Sequence, residues 1–386
     1  MFVQSVTKQT GKIRIKNQGW VKTQGSIDKL IKAGILEISI DPDKTLTLDS
    51  DNKVVEQQDI AKPATNSETF NPWHTSHSVS AEMGKANSLY NEARSLQSKA
   101  FDDIRDGNKI DIAPFKELAS GFIDSVFRNQ DALACITRMR EKDAYLLEHS
   151  INVSILMSIF AKHLGIEKAI IEELATGALL HDIGKINIPD EILNKPGKLT
   201  DEEYQVIQDH ARFSKEILEQ AGLSGIAVDI AGFHHERLDG SGYPRGIGAE
   251  KLSRPARMMA IVDVYDAMTA DRPHQLGEEP ISALRYLLAN KHLFDSELVQ
   301  RFIKCLGVHP VGTIVKLNNE RLALVMEGNH ENPIKPKVKI FYNAKHKHHI
   351  TAKDVNLSEN HELKIVASIK PLDYQLNLAR LLKEHL

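Results

Sequence analysis

The run from Met258 to Met268 is apolar almost all round, with Met258, Met259, Ala260, Ile261, Val262, Val264, Ala267 and Met268. A helix without a polar face is buried, so other parts of the chain must surround this one. Asp263 and Asp266 interrupt it with charge and Tyr265 with a hydroxyl. No Lys or Arg lies three or four residues from either aspartate, so pairing along the helix cannot neutralise them. An unpaired buried carboxylate costs on the order of several kcal/mol. Asp263 must therefore find a cation elsewhere in the folded chain.

Other stretches supply matching chemistry. Apolar residues at 166, 170, 171, 174, 175, 178 and 179 form one helical face that leads into His181, Asp182 and Lys185, and Gly184 is expected to end that helix. His149 shares a face with Leu146, Val153, Met157 and Phe160 in a helix expected to stop at Gly165; alone it would be an ordinary core histidine. Thr200–Glu203 is a capping box. It opens a helix expected to bury Tyr204, Ile207, Ala211, Ile217 and Leu218, to turn His210 inward and to end at Gly222. Ile226, Ile230 and Phe233 lead into His234 and His235, which can converge on neighbouring ions only at a frayed helix end. The Asp239–Gly246 loop offers bare amides, the Tyr243 ring and Arg245, all suited to a phosphate-bearing ligand.

The chain has 17 histidines, so one adjacent His–Asp pair is expected about once by chance. The set carries more weight than the pair. His149, His181, Asp182, His210, His234, His235 and Asp263 combine imidazoles and carboxylates without cysteine, which suits two divalent transition-metal ions such as Fe, Mn, Ni or Zn. Two ions a few ångströms apart, bridged by an Asp and a hydroxide, form a hydrolytic centre for phosphate esters.

The remaining sequence sets the frame. Its 386 residues allow two or three domains, and a net charge of -3 excludes general nucleic-acid binding. Cys135 and Cys305 have neither disulfide-framework nor zinc-site spacing. No apolar run approaches bilayer length and Met1–Lys16 is too polar for a signal peptide, so a cytoplasmic location without membrane insertion is expected. Residues 1–50 are expected to form a small mixed α/β domain, with a helix capped by Ser26 and a strand at Ile35–Ile40, and 51–80 a linker or long loop. Residues 81–139 read as connecting helices, the Ala81–Ile104 stripe packing on its neighbours or pairing subunits and transmitting signals. Residues 140–308 carry these histidine- and aspartate-bearing helices, and 309–386 are expected to form a β-rich extension ending in a helix. His346, His348 and His349 fit a polar loop there better than a metal tract. The expected fold class is mainly α: a helical domain around these residues, a small α/β N-terminal domain and a short β-rich C-terminal appendage.

Glu148–His149–Ser150, His181–Asp182–Ile183–Gly184–Lys185, Ile192–Leu193–Asn194–Lys195–Pro196–Gly197, His234 through Pro244, and Asp263 through Met268 resemble, in order and spacing, the motifs of HD-GYP phosphodiesterases. The first 135 residues or so resemble, more loosely, the uncharacterised domain often found ahead of HD-GYP. The resemblance implies an HD-type helical bundle that hydrolyses cyclic di-GMP to linear pGpG, with or without onward cleavage to GMP, through a dinuclear metal-bound hydroxide. It makes His149, His181, Asp182, His210, His234, His235 and Asp263 the ligands, with Asp182 bridging. Lys185 would meet the scissile phosphate or assist the leaving group, Arg272 would clamp phosphate or guanine, and Gly242, Tyr243 and Pro244 would shape the substrate side. A homodimer and signalling partners such as a diguanylate cyclase are the protein contacts it implies. Two departures stand out. Members with a third metal carry a Glu where this chain has Tyr145, so two ions are expected; and the usual Arg-Pro-Tyr is Arg272–Pro273–His274. The competing expectations are a cyclic di-GMP receptor that turns over slowly or not at all, and a hydrolase of a hybrid cyclic GMP-AMP dinucleotide.

Overall fold

A computed structural model of the chain describes residues 2–9, 19–20, 35–40, 71–139, 145–195, 197–271, 276–329 and 331–385. The chain divides into two compact units, Met1–Asp59 and Ile60–Leu386. In the first, β1 (Phe2–Gln9) pairs antiparallel with both β2 (Gly19–Trp20) and β3 (Ile35–Ile40), giving the order β2-β1-β3. The strand expected at Ile35–Ile40 is present. The helix expected after Ser26 and most of the 51–80 linker fall outside the described residues.

The second unit opens with helices α1 (Val79–Arg105), α2 (Ala113–Ile136), α3 (Tyr145–His163) and α4 (Lys168–Leu180). A 3-10 turn over Ile183–Asn187 follows, then α5 (Asp190–Leu193), α6 (Asp201–Gln220) and α7 (Ile226–Phe233). The bundle closes with α8 (Arg254–Thr269), α9 (Pro280–Ala289) and α10 (Ser296–Leu306). Two helices are buried on nearly every side. α8 buries Met258, Met259, Ile261, Val262, Asp263, Tyr265 and Asp266 together. α3 buries Ile151, Val153, Ile155, Met157, Ile159 and Phe160. These two form the centre of the bundle, as their lack of a polar face requires.

α1 packs along α2 and α3 through Ala86, Leu89, Tyr90, Ala93 and Ala100, which accounts for its apolar stripe as ordinary packing. Its polar side chains reach α3 and α4. The Tyr90 hydroxyl donates to Asn152 Oδ1 at 3.1 Å, Arg94 Nε lies 3.7 Å from Glu148 Oε1, and Gln97 donates to the Leu179 carbonyl.

Sequence and structure part company at several local points. α4 ends at Leu180, and Gly184 is not its left-handed cap. Gly184 sits inside the 3-10 turn, where a Cβ would strike the His210 carbonyl and the Ser214 amide. Its own amide donates to Ser214 Oγ at 2.8 Å, so the residue is glycine because α6 crosses directly over it. Tyr204, expected in the core, is 48% exposed. It lies in the first turn of α6, ahead of the stretch that carries His210, Ala211, Ser214 and Leu218 inward. The capping box of Thr200 and Glu203 is present, and Gly222 follows the helix at φ +82.

At the C-terminus β4 (Ile314–Leu317), β5 (Arg321–Glu327), β6 (Lys337–Asn343), β7 (His348–Asn356) and β8 (Ile365–Ser368) form an antiparallel sheet in the order β7-β6-β5-β4-β8. It has its own core of Val315, Leu317, Leu324, Val325 and Phe341, closed by Leu381 and Leu382 of α11 (Leu378–His385). His348 and His349 stand in the exposed edge strand β7 rather than in a loop; only His346 lies in the turn before it. Among the described residues no helix is long and apolar enough to cross a membrane.

Candidate metal centre

Each central helix contributes to one cluster. His149 on α3 faces α8, with Nδ1 2.8 Å from Asp266 Oδ2 and Nε2 3.0 Å from Asp263 Oδ1. The cation that Asp263 and Asp266 need across the bundle is thus in part the His149 ring. His181 and Asp182 enter from the end of α4, His210 from α6, and His234 and His235 from the end of α7. α7 stops at Phe233, which frees His235 from the helical angle so that both rings, 4.1 Å apart, join His210 in one group. Ligand atoms of His210, His234 and His235 lie within 4.8 Å of one another, as do those of His149, His181 and Asp182.

Asp182 stands between the groups. Its Oδ2 is 3.5 Å from His181 Nε2 and 3.8 Å from His149 Nε2, while Oδ1 is 3.2 Å from His210 Nε2 and 3.9 Å from His234 Nε2. Asp263 spans the same gap, with Oδ1 toward His149 and Oδ2 3.8 Å from His235 Nδ1.

The imidazole tautomers decide what can sit there. Nδ1 of His181, His210 and His234 lies 2.7, 2.6 and 2.9 Å from the carbonyls of Ala178, Ile207 and Ala231. A carbonyl only accepts, so each Nδ1 carries a proton and each Nε2 is the ring nitrogen turned inward to the cluster. The Nε2 atoms of His210 and His234 then face each other at 3.2 Å, and His210 Nε2 also faces Asp182 Oδ1 at that distance. Lone pairs do not approach so closely unless a proton or a cation lies between them. Among the described residues, His181 Nε2 and Asp182 Oδ1 are buried without a hydrogen bond of good geometry. These donors fit divalent cations, and the carbonyls behind them hold the rings as outer-shell partners of metal-ligating histidines do.

Protonation is nearly in place for that role. Burial holds His181 below the usual imidazole range, and burial together with crowding by other rings holds His234 and His235 well below it. Burial raises Asp182, but Lys185 and the neighbouring imidazoles of His181 and His210 outweigh it and hold the carboxyl well below its usual range. Asp263 behaves likewise, held down chiefly by the hydrogen bond from His149. His149 is the exception. Burial lowers its pKa, yet its hydrogen bonds to Asp263 and Asp266 raise it to about 9.

Around the cluster, Lys185 Nζ lies 2.5 Å from Asp182 Oδ2. The Tyr243 ring lies against His235, tilted by 33° with centroids 4.6 Å apart. Gly242 passes so close to the chain at His235–Arg237 that a Cβ would strike it, and Pro244 follows a cis peptide bond. Not all the loop amides are free for an anion: those of Arg245 and Ile247 donate to the buried Glu236 carboxylate at 2.7 and 3.0 Å. The side chains of Arg272 and Tyr145 lie outside the described residues. Sequence reasoning left Asp266, Glu236 and Ser214 out of the site. The signal for Asp266 was the second buried charge on an apolar helix. Glu236 and Ser214 carried none, because their partners are backbone amides.

Comparison with known proteins follows the same lines. Residues 131–298 match an HD domain, 1–115 a domain of unknown function (DUF3391), and 314–377 a KOW domain associated with HD domains. The chain is 33% identical over 352 residues to the cyclic di-GMP phosphodiesterase PA4108 of Pseudomonas aeruginosa, covering 91% of this chain and 84% of that one. It is 42% identical over 134 residues to 3′3′-cGAMP-specific phosphodiesterase 1 of Vibrio cholerae, covering 35% of this chain and 31% of that protein. Among solved structures, Bd1817, an HDG"Y"P protein from Bdellovibrio bacteriovorus, aligns over 57% of this chain and 71% of its own at 18% identity and TM-score 0.49.

Proposed function

Because the chain belongs to the HD-GYP family of HD-domain phosphodiesterases, we propose that it hydrolyses cyclic di-GMP to the linear dinucleotide pGpG. The supporting observation is Asp182, whose two oxygens face two separate groups of inward imidazole nitrogens. His149, His181, Asp182 and Asp263 would hold one divalent cation, and Asp182, His210, His234 and His235 a second. Such ions would polarise the phosphate and lower the pKa of an attacking water.

The chain's own groups do the rest. Water adds to phosphorus and gives up a proton, the bond to the 3′ oxygen breaks, and that oxygen takes up a proton, so one water is consumed for each bond broken. The phosphoryl oxygens gain charge on the way, and the Lys185 ammonium beside Asp182 is placed to stabilise it. Tyr243, lying over His235 and tied in place by the loop around Glu236, excludes water from one side of the centre. The likeness to the Vibrio enzyme named for 3′3′-cGAMP supports that hybrid as a second substrate.

The test is hydrolysis of cyclic di-GMP by anaerobically purified protein, with metal content measured on the same sample and Asp182→Ala alongside. Turnover should accompany about two ions per chain, and the variant should lose both. A metal-loaded wild type that binds cyclic di-GMP and leaves it intact would make the chain a receptor instead.

A further inference from the structure

Tyr204 has no explanation in the core. The helical period places it with Ile207, Ala211 and Leu218, yet it stands 48% exposed, among the most exposed large apolar side chains described. Its ring is not isolated. Tyr204 and Tyr243 meet edge to face, with centroids 6.3 Å apart and planes at 81°. Tyr243 in turn lies 4.6 Å from His235 and 6.3 Å from His210, both in the candidate cation cluster. A chain of ring contacts therefore runs from the cluster outward and ends on an open aromatic surface.

Resting on the function proposed above, we infer that Tyr204 and Tyr243 form an aromatic corner that takes a nucleobase of the substrate. A base stacked on one ring of a perpendicular pair meets the other ring edge-on, a favourable arrangement for aromatic groups. The sugar of a nucleoside would carry the chain from this corner to a phosphate at Asp182 and Lys185. Stacking uses the π-face that every base has and reads no hydrogen-bond pattern. The corner therefore favours nucleotide diesters over simple ones while treating guanine and adenine alike.

The alternative role for Tyr204 is local. It occupies the fourth helical position after the Thr200 cap, where an apolar side chain can pack back on the residue before the cap, here Leu199. Substitutions separate the two roles, because leucine supplies apolar area without a π-face. With the metal-loaded full chain and cyclic di-GMP, Tyr204→Ala and Tyr204→Leu should both raise KM by roughly 5- to 150-fold, the span of base-on-aromatic stacking. kcat should change less than KM, and Tyr204→Phe should stay within about twofold of wild type. The KM for 3′3′-cGAMP should rise in parallel. Tyr286→Ala, another exposed ring, serves as the remote control. Rescue by leucine, an unshifted KM in Tyr204→Ala, or a loss in Tyr204→Phe equal to that in Tyr204→Ala would overturn the corner. A wild type inactive on cyclic di-GMP would overturn both this inference and the function beneath it, whereas turnover with an unshifted KM overturns the corner alone.

Discussion

A cation that binds His149 Nε2 must first remove a proton. In the metal-free chain burial pulls this imidazole down, but its hydrogen bonds to Asp263 and Asp266 raise it to about 9. Below that pH each cation entering the His149 group displaces one proton, so its apparent affinity should fall about tenfold per pH unit. Between pH 8 and pH 6 the loss is about 100-fold, or about 2.7 kcal/mol. His181, His234 and His235 are held below the usual range and add little over this interval. The metal-free fold responds with the opposite sign. A raised histidine pKa stabilises it fully below about pH 6.5, and that contribution disappears as pH rises through 9. Asp266→Asn removes one of the two carboxylates responsible, so the His149 pKa should drop toward 6.5. The affinity profile should then flatten above about pH 7, with a loss of about 10- to 100-fold at pH 8.5 from weaker orientation of the ring. Calorimetric titration of the metal-free chain with Mn²⁺, in buffers of different ionisation heat at pH 6.5, 7.5 and 8.5, counts the protons released. Fewer than about 0.3 protons per ion at pH 7.5 in the wild type, or an unchanged slope in Asp266→Asn, would refute the reasoning.

Two further perturbations probe the surroundings of the centre. Glu236→Ala strips both acceptors from the Arg245 and Ile247 amides, each bond being worth about 1.5–3 kcal/mol. The Asp239–Gly246 loop should become sensitive to limited proteolysis and KM for cyclic di-GMP should rise about tenfold or more with metal content retained; an intact loop would contradict the assignment. Gly184→Ala drives a methyl into the His210 carbonyl and the Ser214 amide. Overpacking of this kind costs about 1–3 kcal/mol, seen as a lower Tm together with weaker metal retention at the His210 group.

Much of the site was legible because burial and charge conflict along a helix. Asp263 on an apolar helix had to meet a positive partner, and His149 supplies one. His210 could be turned inward by the 3.6-residue period alone, and the structure places it in the cluster. Periodicity failed for Tyr204, because the first turn of a helix can overhang the bundle edge and its exposure is set by what lies opposite. It failed for Gly184 in another way: glycine after a helix suggests a left-handed cap, and only the crossing of α6 shows that the missing side chain matters instead. Glu236 was unreadable since its partners are main-chain amides nine and eleven residues away, which no side-chain pattern records. In the C-terminal extension the alternating strands were visible, whereas β7 was hidden because its exposed residues do not alternate.

His149 and Asp263 stand 114 positions apart in sequence and 3.0 Å apart in space. Ions held by this cluster would tie α3, α4, α6, α7 and α8 at a single point, closing a loop of about a hundred residues. In a chain-entropy treatment a covalent cross-link of that span is worth about 4–5 kcal/mol. The two cysteines, both buried as free thiols, supply no such link. Metal held there would therefore act as a reversible cross-link, and a chelator that removed it would lengthen the untethered chain.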